Sequence, residues 1–199
     1  VGKSEMEIAP DLIYIKVNIN EKDTKNKVPV TELEKSMVSA LEKLGIDVSK
    51  DLLIKDISSN FKYYLLTKND ILLTKEYQIL VRDGKIASQI FIELEKIGIS
   101  NVSIDRLDHS KIEQFRREVK INAITAAKSK AESLAQAINQ TIGRAIYIQE
   151  LDNIANVNRA SNSISIRGSS AIYGSNAPID IDFEKIKIEF SILCRFELK

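Results

Sequence analysis

The chain has 199 residues and 22.4 kDa, long enough to bury one sizeable core without help from a metal or a disulfide. Apolar residues make up 44% and charged residues 29%, which excludes collagen-like and wholly disordered classes. The 29 Lys and Arg are scattered among 28 Asp and Glu, so no electrostatic footprint for nucleic acid is present, and no run approaches the roughly 18 to 20 apolar residues that span a bilayer.

The first residue is Val rather than Met, and Val1-Gly2 runs straight into a strand-like segment, as expected after removal of a signal peptide or trimming. From Pro10, the run 12–20 alternates, with Ile13, Ile15, Val17 and Ile19 on one face and Tyr14, Lys16 and Asn18 on the other, which predicts a half-buried strand. Thr31-Glu-Leu-Glu34 reads as a capping box for a helix whose Leu33, Met37, Ala40, Leu41 and Leu44 recur at helical spacing until Gly45. A strand over about 51–63, a polar tip at 67–70 and a strand over about 72–81 form a predicted hairpin. Asp83-Gly84 then opens a helix with Ile86, Ile90, Phe91, Leu94 and Ile97 in one stripe, stopped at Gly98 and followed by a strand through Val102, Ile104 and Leu107.

An internal repeat organises this half. Leu41-Glu-Lys-Leu-Gly-Ile46 recurs as Leu94-Glu-Lys-Ile-Gly-Ile99, and Asp47-Val-Ser-Lys-Asp-Leu-Leu53 is echoed by Asn101-Val-Ser-Ile-Asp-Arg-Leu107. Two tandem β-α-β units in a β-α-β-β-α-β order predict a ferredoxin-like antiparallel sheet with both helices on one face. The expected fold class is α+β: this duplicated sheet, then a long helix and two further strands separated by an Asn/Ser-rich loop.

Ser110-Lys-Ile-Glu113 is a second capping box, opening the longest helix, with Ile112, Phe115, Val119, Ala123, Ala127, Ala131, Leu134 and Ile138 along one side. About thirty residues make a rod of roughly 45 Å, expected to overrun its sheet and reach a neighbour, its alanines letting another backbone approach. After Gly143 a strand covers Ala145 to Glu150. Residues 152–181 are rich in Asn and Ser, with Ile164-Ser-Ile166 as a possible edge strand, and a closing strand runs from about Phe183 to Leu198.

Chemistry-bearing residues are sparse. The single histidine, His109, stands at a strand-to-helix turn without a second His or a Cys nearby, and the single cysteine, Cys194, reads as a small hydrophobe on a strand. Asp105 and Asp108 lie at that turn, where a carboxylate-histidine arrangement for acid-base work could be built, but alternation sets them on opposite strand faces. Lys111, Arg116, Arg117 and Lys120 are interleaved with Glu113 and Glu118, as on a solvated helix face. No glycine-rich phosphate loop or calcium loop is present, and the acceptor triplets at Asn101 and Asn139 are at chance frequency. The expectation is no catalytic, cofactor or metal residues, no cofactor and no enzymatic activity.

With the elements placed, the chain resembles the SIMPL domain family, long called a domain of unknown function. The resemblance rests on Pro10-Asp11 before an alternating strand and on Tyr77-Gln-Ile-Leu-Val-Arg-Asp83 leading into a helix that ends Ile97-Gly98. It rests further on Ala123, Ala127, Lys130, Ala131, Leu134 and Ala135, followed by Gly143-Arg-Ala-Ile-Tyr-Ile-Gln-Glu150. Asn139 departs from it, standing where many members have glycine, and the glycine-rich opening strand is reduced to Val1-Gly2-Lys3-Ser4.

The resemblance implies one SIMPL-like unit over 1–199, with one sub-lobe at 10–108 and a second made of 109–199 together with 1–9. It implies an exported periplasmic or cell-envelope protein of bacteria, forming homo-oligomers or binding an envelope protein partner, linked to stress defence and without an agreed catalytic mechanism. A periplasmic small-ligand-binding domain is the alternative expectation.

Overall fold

The computed structural model describes residues 1–20, 28–59, 73–151 and 183–199. The hairpin tip at 67–70, the second strand's predicted continuation to Tyr63 and the Asn/Ser-rich stretch 152–181 with Ile164-Ser-Ile166 lie outside the described residues. The architecture is mixed α+β, with two antiparallel sheets and one long helix, and it divides into two compact units.

The larger unit starts at Pro10 and holds the chain through Asp108. Its strand β2 (Leu12–Asn20) sends Ile13, Ile15, Val17 and Ile19 into a core and leaves the alternate side chains half-buried, as the alternation predicts. Helix α1 (Val30–Lys43) adds Val30, Leu33, Met37 and Leu41 to that core. The short helix α2 (Val48–Asp51) leads into β3 (Leu52–Ser59), and β4 (Leu73–Val81) contributes Tyr77, Ile79 and Val81. Helix α3 (Gly84–Lys96) brings Ala87, Ile90 and Leu94, and β5 (Val102–Asp108) completes a sheet ordered β3-β4-β2-β5, every neighbour antiparallel.

The repeated segments close their helices in the same way. Gly45 and Gly98 hold φ of 79° and 85°, a left-handed conformation that costs glycine nothing. In each copy the buried isoleucine after the glycine donates its N–H back five residues, Ile46 to the Leu41 carbonyl at 3.1 Å and Ile99 to the Leu94 carbonyl at 2.9 Å. The longer echo does not extend to conformation. Val48-Ser-Lys-Asp51 is a helical turn, because the Asp47 carboxylate takes the Ser49 N–H, the Ser49 hydroxyl and the Lys50 ammonium, whereas Val102-Ser-Ile-Asp105 is strand paired to β2. Those partners, Lys50 first, hold the Asp47 carboxyl down at about 2.

The capping box predicted at Thr31 does not form: helix α1 starts one residue before it, at Val30 behind Pro29, because Val30 is buried and Glu34 is drawn 2.6 Å from Lys75 Nζ on β4. In the turn before the long helix, His109 Nδ1 accepts the Lys111 N–H at 2.9 Å.

The smaller unit is built from Val1–Ala9, the chain from His109 through the following helix and strand, and Lys185–Lys199. Strands β1 (Gly2–Ile8), β6 (Ile142–Leu151) and β7 (Ile186–Leu198) form a sheet ordered β1-β7-β6, with helix α4 (Ile112–Gln136) packed over β1 and β7. Ile8, Val119, Ile186 and Ile188 form the core, flanked by Met6, Ile112, Phe115 and Phe190.

The rod does not overrun its sheet. Its 25 residues span about 38 Å, against about 43 Å for the 13 residues of β7. Its buried face runs from Val119 through Ala123 and Ala127 to Ala135. The close approach expected of its alanines is taken up by its own β1: a Cβ on Gly2 would lie 2.8 Å from Ala127 Cα, and nearer still to the Ala123 carbonyl oxygen and the Ala127 nitrogen. Leu134 and Ile138, predicted on the packed side, are instead exposed. Past Gln136 the chain closes like the two glycine stops, Gln140 N–H donating to the Ala135 carbonyl at 2.9 Å, with Asn139 at φ 58° in the glycine role.

Candidate functional site

Several residues weighed for chemistry have structural partners. His109 accepts the Lys111 N–H in the turn before α4 and packs edge-on against Phe115, ring centres 5.0 Å apart. Cys194 is half-buried on β7 opposite Ile148. Arg116 pairs with Glu113, and Lys120 bonds Glu150 at 2.8 Å while lying over the Phe190 ring. Among the described residues no group of three or more His, Cys, Asp or Glu is placed to hold a metal, and no helix is long and apolar enough to cross a membrane.

Asp105 corrects the alternation argument. A β-bulge between Tyr14 and Ile15 of β2 leaves Asp105 without a Cα partner, so Arg106 faces Tyr14 and Asp108 faces Leu12. Asp105 thereby accepts from Gln78 Nε2 on the same side of the sheet. Lys16 pairs with Glu76 at 2.8 Å, and Arg106 lies 4.0 Å above the Tyr14 ring. The Glu76 carboxylate first, with Asp105 behind it, raises the Lys16 ammonium above its ordinary range. Lys16 and Glu76 are a charge pair, whereas Asp105 and Arg106 are held by the neutral Gln78 and Tyr14.

Glu34 lies on a groove of about 420 Å³ along α1, lined by Thr31, Lys35, Val38, Ser39 and Glu42 among the described residues. Burial alone would raise the Glu34 carboxyl, but Lys75 and Tyr77 outweigh it and hold it below the usual carboxylate range. The Tyr77 phenol is pushed up, by burial first and by its close approach to the Glu34 carboxylate second. Its hydroxyl, buried beside Glu34, makes no hydrogen bond of standard geometry.

An apolar run of the smaller unit is exposed. Helix α4 packs over β1 and β7 and touches β6 little, and Ile146, Tyr147 and Ile148 are 58%, 43% and 56% exposed in consecutive positions. Ile121, Ile124, Leu134 and Ile138 on and just beyond α4 are exposed as well. Single exposed hydrophobics are ordinary, but here three stand in a row on a strand that, among the described residues, pairs on one side only. The sequence reads 145–150 as a strand and does not by itself say which of its side chains are exposed.

The architecture is α+β, with a long alanine-faced helix packed against a terminal three-stranded sheet. The chain belongs to the SIMPL family, described as a protein of unknown function (DUF541), which it matches over residues 1–196. It is also similar to the Interleukin-1 receptor-associated kinase 1-binding protein 1 homolog of Xenopus laevis, at 22% identity over 166 residues, 75% of this chain. The chain spans 61% of that relative's length.

Proposed function

We propose that this chain is a non-enzymatic interaction module of the bacterial cell envelope, whose smaller unit binds protein surfaces and in particular further copies of itself. The bare run Ile146-Tyr-Ile148 on β6 carries this reading, since exposed consecutive apolar residues on an edge strand gain most when covered. The name of the frog relative, a kinase-binding protein homolog, supports protein binding as the activity. Export to the periplasm and a contribution to stress defence follow from the family resemblance alone. The structural engagement of His109 and Cys194 supports a chain without catalysis.

Light scattering on purified protein at about 50 µM tests self-association, with a defined oligomer expected and a strict monomer refuting it. Fractionation of cells carrying the intact gene tests export; recovery in the cytosol alone removes the envelope assignment.

The strand order β3-β4-β2-β5 is the order a ferredoxin-like β-α-β-β-α-β chain adopts, and the matched closures at Gly45 and Gly98 support duplication of one unit. The two six-residue segments differ only at Leu44 and Ile97, so Leu44→Ile and Ile97→Leu should each cost under about 1.5 kcal/mol. A larger loss would show that the two settings are not equivalent.

The groove along α1 favours a second reading, a periplasmic small-ligand-binding domain with Glu34 and Glu42 facing a cationic ligand. A thermal-shift screen of amines and small cationic metabolites tests it; no stabilisation by any of them would dismiss it.

A further inference from the structure

We infer that the end of the smaller unit where α4 turns into β6 docks on an anionic lipid surface, its apolar side chains entering the headgroup layer and its basic ones meeting phosphate. The inference does not depend on self-association. It assigns a second kind of partner, a membrane, to residues outside the run Ile146-Tyr-Ile148.

Three residues carry the apolar half. Leu134, Ile138 and Leu198 are 63%, 60% and 59% exposed, more than any other large hydrophobic among the described residues. Leu134 lies in the last turn of α4 and Ile138 just past its end. Leu198 is brought to the same end by the backbone, because Thr141, three residues after Ile138, exchanges two N–H to carbonyl bonds of 2.8 Å with Lys199. Exposed apolar side chains gathered at one end, rather than scattered singly, mark a contact surface for a protein or a membrane.

The charges select the membrane. Glu132 and Glu197, the side-chain carboxylates of this end, are each paired, with Lys128 at 3.7 Å and with Arg144 at 2.8 Å. Lys130, one turn before Leu134, and Lys199, beside Leu198, have no carboxylate partner among the described residues. Arg195 lies over the Tyr147 ring at 5.1 Å and not on an acid. The surplus at this end is therefore positive.

That surplus belongs to a wider segregation of charge. Val1–Ala9, His109–Ser161 and Lys185–Lys199 hold 13 Lys and Arg against nine Asp and Glu, whereas the rest of the chain holds 16 against 19. A basic collar around exposed apolar side chains complements a surface that is negative on top and apolar beneath, which is what an anionic bilayer presents.

Vesicle flotation of the full chain tests the docking. The protein should rise with phosphatidylcholine vesicles containing about 30% phosphatidylglycerol and stay behind with phosphatidylcholine alone, and about 0.5 M NaCl should weaken the binding. Lys130→Gln and Lys199→Gln should each weaken it about fivefold, and Ile138→Ser combined with Leu198→Ser at least about tenfold. The unfolding temperature should not change in any of these variants, because all four side chains are exposed. Equal binding to both vesicles, binding that every variant retains in full, or no flotation at all overturns the docking. No flotation together with an oligomer lost in the Ile138→Ser, Leu198→Ser variant would give this end to a protein contact instead. A strict monomer that floats refutes self-association and leaves the docking standing.

Discussion

Replacing Gly2 by alanine places a methyl group where α4 already has its main chain. The new Cβ would stand 2.8 Å from Ala127 Cα, where carbon atoms settle at about 3.5–4.0 Å, so β1 must withdraw by about 1 Å. No rotamer change relieves this, because the other two nearest atoms, the Ala123 oxygen and the Ala127 nitrogen, also belong to the helix backbone. Overpacking of this kind costs about 1–3 kcal/mol, and the smaller unfolded-state entropy of alanine returns about 0.4–1 kcal/mol. A net loss of about 1–2 kcal/mol is expected. Urea unfolding followed by circular dichroism should show a lower midpoint, and hydrogen exchange should quicken at β1 and at the β7 residues paired with it. Adding Ala127→Gly should not rescue the variant, since the crowded atoms remain. An unchanged midpoint with unchanged β1 protection would refute the close packing of strand on helix.

Gly45 has open space around its missing side chain, so Gly45→Ala isolates the backbone cost of φ 79° and should destabilise by about 1–2 kcal/mol; Asn139→Gly, the converse at φ 58°, should stabilise by about 0.5–1 kcal/mol, both read by urea titration. Asp83 caps α3 by accepting the Lys85 and Ile86 N–H groups, and Asp83→Ala should cost about 1 kcal/mol in the same assay. Tyr77→Phe should leave stability unchanged or raise it by up to about 1 kcal/mol, because the buried hydroxyl has no standard hydrogen bond; a clear loss would show that it bonds Glu34. Glu34 has a depressed folded-state pKa, so its stabilising contribution is present above the unfolded carboxylate range and is lost as pH falls through the folded value. Lys75→Met should flatten that acid limb in a pH series of unfolding midpoints, and an unaltered limb would contradict the pairing.

Local signals in the chain were legible where one element decides its own structure. The alternation of Ile13, Ile15, Val17 and Ile19 required one buried strand face, and Gly45 and Gly98 required left-handed helix stops. Misreadings arose where a distant residue decides. Glu34 reads as the far end of a capping box until Lys75, 41 positions away, is seen to claim it. Asp105 reads as facing away from Asp108 until the register against β2 inserts a bulge. The bare strand at Ile146-Tyr-Ile148 was the least legible feature, since a run of that composition is ordinary inside a core. Its exposure shows only in the structure, where α4 packs over β1 and β7.

The smaller sheet also has an unusual chain path. Its middle strand, β7, lies between a strand from the opposite end of the chain and one more than thirty positions earlier, with Gly2 beside Ile192 and Glu150 beside the same Ile192. Four strands and two main helices of the larger unit come from one uninterrupted stretch, so they can assemble while β1 and α4 still await the strand that joins them. A ribosome-bound chain halted before Lys185 would therefore carry one finished half and, in the other, a helix and two strands with their apolar sides uncovered. That interval is when a holdase chaperone has the most to grip.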